Sequence, residues 1–263
     1  MSGRKTLIFG NWKTHFSVKQ AVSFSQKLQT KPTPENVIVA VAPHTLALSE
    51  VSQVLVDSKI ATISQNAYYQ DEGPFTGEIT MPMLRGIAKY VLIGHSERRH
   101  IFHESNDLIR AKVAAAVRSG IKPILCIGET LLEREYFHTN QVLSDQLTIG
   151  LADLTSAEIS RLVIAYEPVW AIGTGKFARP DDVAQMVLKI RKEIATLYGN
   201  DPANKVRILY GGSVDAHNCS AYLSTEGVDG LLIGGSSLGM SSFWPIVDTA
   251  GALQDKTKDK VEK

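Results

Sequence analysis

Eight short apolar runs recur along the chain, at Leu7–Phe9, Val37–Ala42, Ile60–Ser64, Tyr90–Ile93, Ile121–Ile127, Leu162–Tyr166, Val206–Tyr210 and Gly230–Ile233. Between them, apolar residues repeat at helical spacing. Val18, Ala21, Val22, Ser25 and Leu28 form one stripe, and Ile109, Val113, Ala116 and Val117 form another, with Ser105 placed as its N-cap and Leu108 opening it. Pro180-Asp-Asp-Val opens a further helix, with proline at an early position and acids in the first turn, where the helix dipole favours them. Gly120 and Gly199 stand where helices stop. Strands alternating with helices demand a parallel sheet with right-handed crossovers. Eight such units in about 250 residues match the count and size of a (β/α)8 barrel, eight parallel strands ringed by outer helices. A doubly wound sheet is the alternative, because periodicity does not show closure. No linker-like stretch divides the chain, so residues 1–250 are read as a single domain. Residues 251–263 form a charged tail, expected to be a frayed helix end or disordered.

Composition narrows the function classes. With 263 residues, 44% of them hydrophobic and 21% charged, the chain can bury a sizeable core. Its net charge of +1 leaves no electrostatic footprint for nucleic acid or an anionic membrane. The N-terminus runs straight into Leu7–Phe9 without the apolar core of a signal peptide, and no apolar run is long enough to span a bilayer. Cys126 and Cys219 form no CxxC pair, which suits neither zinc nor a disulfide framework. The expectation is a cytoplasmic protein.

Active sites of such barrels gather at the C-terminal ends of the strands, which selects the residues to weigh. The sixth run ends in Glu167, and Pro168 restricts its backbone to extended geometry. The following segment, Pro168-Val169-Trp170-Ala171-Ile172-Gly173-Thr174-Gly175-Lys176, has the composition of a mobile flap, with bulky groups to dock and glycines for unusual backbone angles. Alone, Glu-Pro reads equally as a solvated strand end. The first run ends in Gly10-Asn11-Trp12-Lys13; in extended geometry Asn11 and Lys13 point the same way, with Trp12 turned into packing. The fourth is followed by Gly94-His95-Ser96-Glu97-Arg98-Arg99. The seventh and eighth end in Gly211-Gly212-Ser213 and Gly234-Gly235-Ser236, paired turns whose bare N–H groups suit a phosphate; Gly173 adds another such donor.

Other motifs carry less. His100 and His103 have metal-like spacing without a third ligand, and no metal is expected. His44 and His138 read as surface or satisfied polar residues, and Cys126 as packing. Gly173-Thr-Gly-Lys-Phe-Ala178 matches a dinucleotide fingerprint formally, but Pro180 opens the next helix, and Phe177 stands where a Walker motif needs Ser or Thr. A carboxylate base facing a neutral electrophile suits proton abstraction beside a carbonyl, with no cofactor.

With these residues assembled, the chain resembles the triosephosphate isomerase family. The likeness rests on Phe9–Lys13, Gln65-Asn66, Phe75–Glu78, Ile93–Arg99, Cys126–Glu129, Ala165–Lys176, Tyr210–Val214 and Ile233–Gly235, in family order over residues 5 to 250. The resemblance implies cofactor-free interconversion of dihydroxyacetone phosphate and D-glyceraldehyde 3-phosphate, a step of glycolysis and gluconeogenesis. It implies Glu167 as base and His95 as neutral electrophile. Lys13 would attract substrate, Asn11 would hydrogen-bond it, and Glu97 would be a supporting acid. Phosphate would be held by Gly173, Ser213, Gly234 and Gly235 beneath a lid of Pro168–Lys176. It also implies a homodimer, with the loop Asn66–Glu78, carrying Phe75, Thr76 and Gly77, inserted into the partner and Thr76 near the partner's Asn11. Arg191 and Asp229 match a structural ion pair of the family. The chain departs from the common pattern at Thr14-His15 and Pro74, which puts dimer strength in question, and at His103 (commonly Gly) and Ser236 (commonly Ala); none of these touches the expected catalytic atoms. Two rival readings are a Schiff-base lyase using Lys13 and a barrel that binds phosphate ligands without turnover.

Overall fold

A computed structural model describes residues 4–172 and 177–261. Eight strands run β1 (Thr6–Asn11), β2 (Val37–Ala42), β3 (Ile60–Ser64), β4 (Tyr90–Ile93), β5 (Lys122–Ile127), β6 (Val163–Tyr166), β7 (Arg207–Tyr210) and β8 (Gly230–Ile233). All pair in parallel and in sequence order, and β8 returns to β1 through Leu7↔Gly230 to Gly10↔Ile233. The sheet is therefore closed, and the doubly wound alternative is excluded.

The helices are α1 (Val18–Gln29), α2 (Thr45–Leu55), α3 (Ser96–His100), α4 (Asn106–Arg118), α5 (Leu131–Glu135), α6 (Thr139–Leu151), α7 (Ser156–Ile159), α8 (Pro180–Tyr198), α9 (Asn200–Lys205), α10 (Cys219–Leu223) and α11 (Met240–Val261). Their ends follow local chemistry. Ser105 caps α4 by accepting the Leu108 N–H, Pro180 sits in the first turn of α8 ahead of Asp181 and Asp182, and Gly199 ends α8 at φ 87°. α11 carries backbone helix through the charged segment to Val261. Among the described residues no helix is long and apolar enough to cross a membrane.

Alternation along the strands sorts two apolar layers. Leu7, Phe9, Leu92, Ala165 and Leu209 fill the barrel interior. Ile8, Val91, Ile164 and Ile208 face the helices, joined by Trp12, which is fully buried edge-on to Phe16 and Phe24. The inward parity has a direct consequence for the site. That parity reaches Asn11, the last residue of β1, from Leu7 and Phe9, and, one residue past the end of β6, Glu167 from Val163 and Ala165. Gly211 and Gly234 follow by the same count from Leu209 and Leu232. Four functional positions therefore converge on one mouth of the barrel because each strand keeps its two-residue period.

His103 adopts φ 55°, a left-handed conformation that favours glycine. Arg191 and Asp229 pair at 3.5 Å, with Arg207 also on Asp229 at 3.0 Å, remote from the mouth.

Candidate active site

The mouth encloses a cleft of about 320 Å³. Asn11, Lys13, His95, Glu167, Ser213, Gly234 and Gly235 all line it, together with Ile172, Phe177 and Ser236. A larger depression of about 1320 Å³ lies at the opposite end, where β2 and β3 begin and α2 ends. It gathers Lys5, Lys59 and Lys89 but no facing acid and imidazole, so the smaller cleft is the chemically competent one.

Glu167 is almost fully buried, at 2% exposure. Its N–H donates to the Ile127 carbonyl at 2.7 Å. A Cβ on Gly128 would lie 1.8 Å from the Glu167 carbonyl oxygen, and one on Gly211 would lie 2.8 Å from Glu167 Cγ. The two glycines thus fix the backbone on one side and leave the side chain room on the other. The carboxylate accepts the Ser96 N–H on Oε2 at 3.3 Å, while Oε1 lies 3.4 Å from His95 Nε2. Burial, and next the Glu167 carboxylate, push the Cys126 thiol well up. A protonated sulfur therefore packs beside the carboxylate.

His95 caps the N-terminus of α3. Its Nδ1 accepts the Glu97 N–H at 3.3 Å. A ring nitrogen that accepts carries no proton, so the other nitrogen, Nε2, bears the N–H and faces Glu167. Below this turn, buried Arg99 donates to the Gly94 carbonyl at 2.7 Å, to Asn106 at 2.7 Å and to the Cys126 carbonyl at 3.0 Å. Burial brings its guanidinium down to about 10. It ties the His95 turn to β5.

Lys13 does not continue the strand in extended geometry: its φ is 52°. The expected shared direction with Asn11 is reached differently. Asn11 Oδ1 accepts the Lys13 N–H at 3.0 Å, and Gln65 donates to the Lys13 carbonyl at 2.6 Å, clamping the turn. Lys13 Nζ then meets Glu97 Oε1 at 2.5 Å. Burial opposes charge on Glu97, but the hydrogen bond and the positive charge of Lys13 work against it, and the pKa lies below the usual carboxylate value.

The described part of the expected lid begins as a short 3-10 turn, Val169–Ala171, after Pro168. Trp170 Nε1 donates to fully buried Glu129 at 2.9 Å, and the Arg134 guanidinium stacks 4.6 Å from the Trp170 ring centre. Tyr166 also donates to Glu129, at 3.2 Å. Ser213 Oγ donates to the Ala171 carbonyl at 2.9 Å. Gly173, Thr174, Gly175 and Lys176 lie outside the described residues. The loop residues Asn66, Phe75, Thr76, Gly77 and Glu78 do not line the cleft. Phe75 packs on Tyr68 with ring centres 4.7 Å apart, and Thr76, Gly77 and Glu78 are exposed.

A family model described as triosephosphate isomerase matches residues 6–250. The chain belongs to the triosephosphate isomerase family. It is 46% identical over 246 residues to a triosephosphate isomerase of Chlamydia trachomatis serovar L2, covering 92% of this chain and 89% of that protein. Proteins of the same name from Carboxydothermus hydrogenoformans and Endomicrobium trichonymphae are 45% and 46% identical, each over 93% of this chain and 98% of the relative. The family match thus spans every strand that feeds the cleft. Ser96, Gln65, Arg99, Glu129 and Gly128 received no role from the sequence, although all five sit within segments that carry the likeness.

Proposed function

We propose that this chain is an isomerase that interconverts dihydroxyacetone phosphate and D-glyceraldehyde 3-phosphate through an enediolate, without a cofactor. Glu167 takes a proton from the carbon beside the carbonyl and returns it to the neighbouring carbon. His95, donating from Nε2, polarises the carbonyl and moves protons between the two oxygens. This base and neutral-imidazole pairing is the known pattern of the triosephosphate isomerase family rather than a new deduction. The observation that supports it most is the buried Glu167 carboxylate facing His95 Nε2 at 3.4 Å, with Lys13 in the same cleft.

Lys13 draws the dianion in and offsets charge on the enediolate oxygens, Asn11 hydrogen-bonds a substrate oxygen, and Glu97 holds Lys13 in place. Backbone N–H groups at Gly173, Ser213, Gly234 and Gly235 bind the phosphate. Carboxylate contact with the Ser96 N–H is a parked position, which Glu167 leaves as the lid Pro168–Lys176 closes. Closure excludes water and so protects an enediolate that otherwise expels phosphate. The working unit is a cytoplasmic homodimer with loop Asn66–Glu78 inserted into the second copy. A Schiff-base role for Lys13 fits less well, because the side chain is committed to Glu97 at 2.5 Å instead of desolvated for amine chemistry.

A coupled assay on both triose phosphates tests the reading. Glu167→Gln should lower kcat by about 10²- to 10⁴-fold, the usual weight of a general base. An inactive wild type, or a fully active variant, overturns it.

A further inference from the structure

The two glycine turns belong to different strands, and little backbone pairing holds them in register. The β7–β8 ladder consists of Leu209↔Gly230 and Tyr210↔Leu231, so it ends before either turn begins. Beyond it, Ser236 Oγ donates to the Val214 carbonyl at 2.7 Å. That bond crosses from the β8 turn to the β7 turn at the wall of the cleft, which Ser236 and Val214 both line. Ser213, one residue before Val214, donates from its hydroxyl to the Ala171 carbonyl at 2.9 Å. Ser237, one residue after Ser236, bonds back within its own turn to the Gly234 carbonyl at 2.6 Å. Three hydroxyls thus link the described lid segment, the β7 turn and the β8 turn into one chain of contacts. Ser236 supplies the joint between the turns.

We propose that Ser236 is a positioning residue for the phosphate group of the substrate. Its hydroxyl sets the separation between the amides of Ser213 and those of Gly234 and Gly235. A dianion held from two sides needs donors at a fixed spacing, and an error of a few tenths of an ångström in one turn weakens every bond from that side. Ser236 does not touch the reacting carbons, so its effect falls on the phosphate handle. The inference rests on the isomerase reading above, and the phosphate measurement below separates the two.

The test compares Ser236→Ala and Ser236→Thr with wild type. Inorganic phosphate binding is read by calorimetry, and turnover is read with phosphorylated and unphosphorylated glyceraldehyde. Ser236→Ala should weaken phosphate binding and raise KM for the phosphorylated substrate by about threefold to tenfold, the size of one neutral hydrogen bond. It should leave kcat within about twofold and turnover of unphosphorylated glyceraldehyde unchanged, because the reacting end of the site is intact. Ser236→Thr, which keeps the hydroxyl, should restore both constants. Unaltered phosphate affinity in Ser236→Ala overturns the proposal, as does equal loss on the two aldehydes, which marks a general packing role. If wild type binds phosphate in a Ser236-dependent way yet turns over neither triose phosphate, the isomerase reading fails while the joint between the turns stands.

Discussion

At the residue scale, the site works by fixing backbones and leaving side chains room. Glu167 is pinned at its main chain by Ile127 and Gly128, and its side chain lies in space that Gly211 leaves open. Gly211→Ala would put a methyl 2.8 Å from Glu167 Cγ. The carboxylate would be displaced by a fraction of an ångström to an ångström, a shift that costs up to about 10²-fold in kcat. Steady-state kinetics on a variant that still melts cooperatively checks this; an unchanged kcat would mean that Glu167 does not use the space. Glu97 makes a second prediction, through pH. Its folded pKa lies below the unfolded value of about 4.3, so its contribution to stability is complete above that value. The contribution disappears as pH falls through the lower, folded pKa. Melting curves of wild type and Glu97→Gln should therefore converge in acid and reach their full separation by about pH 5. Parallel curves across the acid range would show that the Lys13 pair does not govern the Glu97 proton.

At the element scale, the segment after β6, proposed above as the start of a lid, rests on one buried carboxylate. Glu129 accepts from Trp170 and Tyr166, and lies 3.6 Å from Arg134. Its own carbonyl accepts the Val169 N–H at 3.0 Å. Removing the carboxylate in Glu129→Ala takes the acceptor from Tyr166 and Trp170 and one acidic neighbour from Arg134, and should cost about 3 kcal/mol in urea unfolding. Trp170→Phe removes a single donor and should cost about 1 kcal/mol. Equal stability of Glu129→Ala and wild type would refute this picture of the segment.

The same elements show what a linear chain reveals. The apolar runs at Val37–Ala42, Ile60–Ser64, Tyr90–Ile93 and Gly230–Ile233 coincide with β2, β3, β4 and β8, because burial on both faces leaves an uninterrupted hydrophobic signature. β1 extends to polar Thr6 and Asn11, where ladder bonds continue past the apolar run, whereas β7 begins at Arg207, one residue inside its run. The catalytic-type residues were legible because they follow strand ends. Glu129 was not legible as a support for the segment after β6: its partners Tyr166 and Trp170 are 37 and 41 residues away, and the contact exists only once β5 and β6 lie side by side. The clamp of Gln65 on Lys13 spans 52 residues and was hidden for the same reason, as was the left-handed turn at Lys13 that it holds.

At the scale of the whole molecule, the barrel leaves one face unfinished. Met83, Ile101 and Phe102 are 59%, 65% and 62% exposed. Phe102 lies under the Arg98 guanidinium at 4.9 Å, and Arg98 and Lys112 both reach buried Glu104 at 2.5 Å. Lys112 in turn donates to Asn66 Oδ1 at 2.8 Å. Arg98 belongs to α3, whose first turn carries Ser96 and Glu97, so the loop, the apolar face and the catalytic turn share one charged network. A second copy covering the face would bury the apolar groups and hold the network rigid. Light scattering on the wild type should therefore report a dimer. Phe102→Glu places a charge on the face and should yield monomers. Their kcat should fall by about tenfold or more, because a loosened α3 misplaces His95 and Glu97. A monomeric Phe102→Glu variant with full activity would show that the catalytic turn keeps its geometry without a partner and that the exposed face serves some other contact.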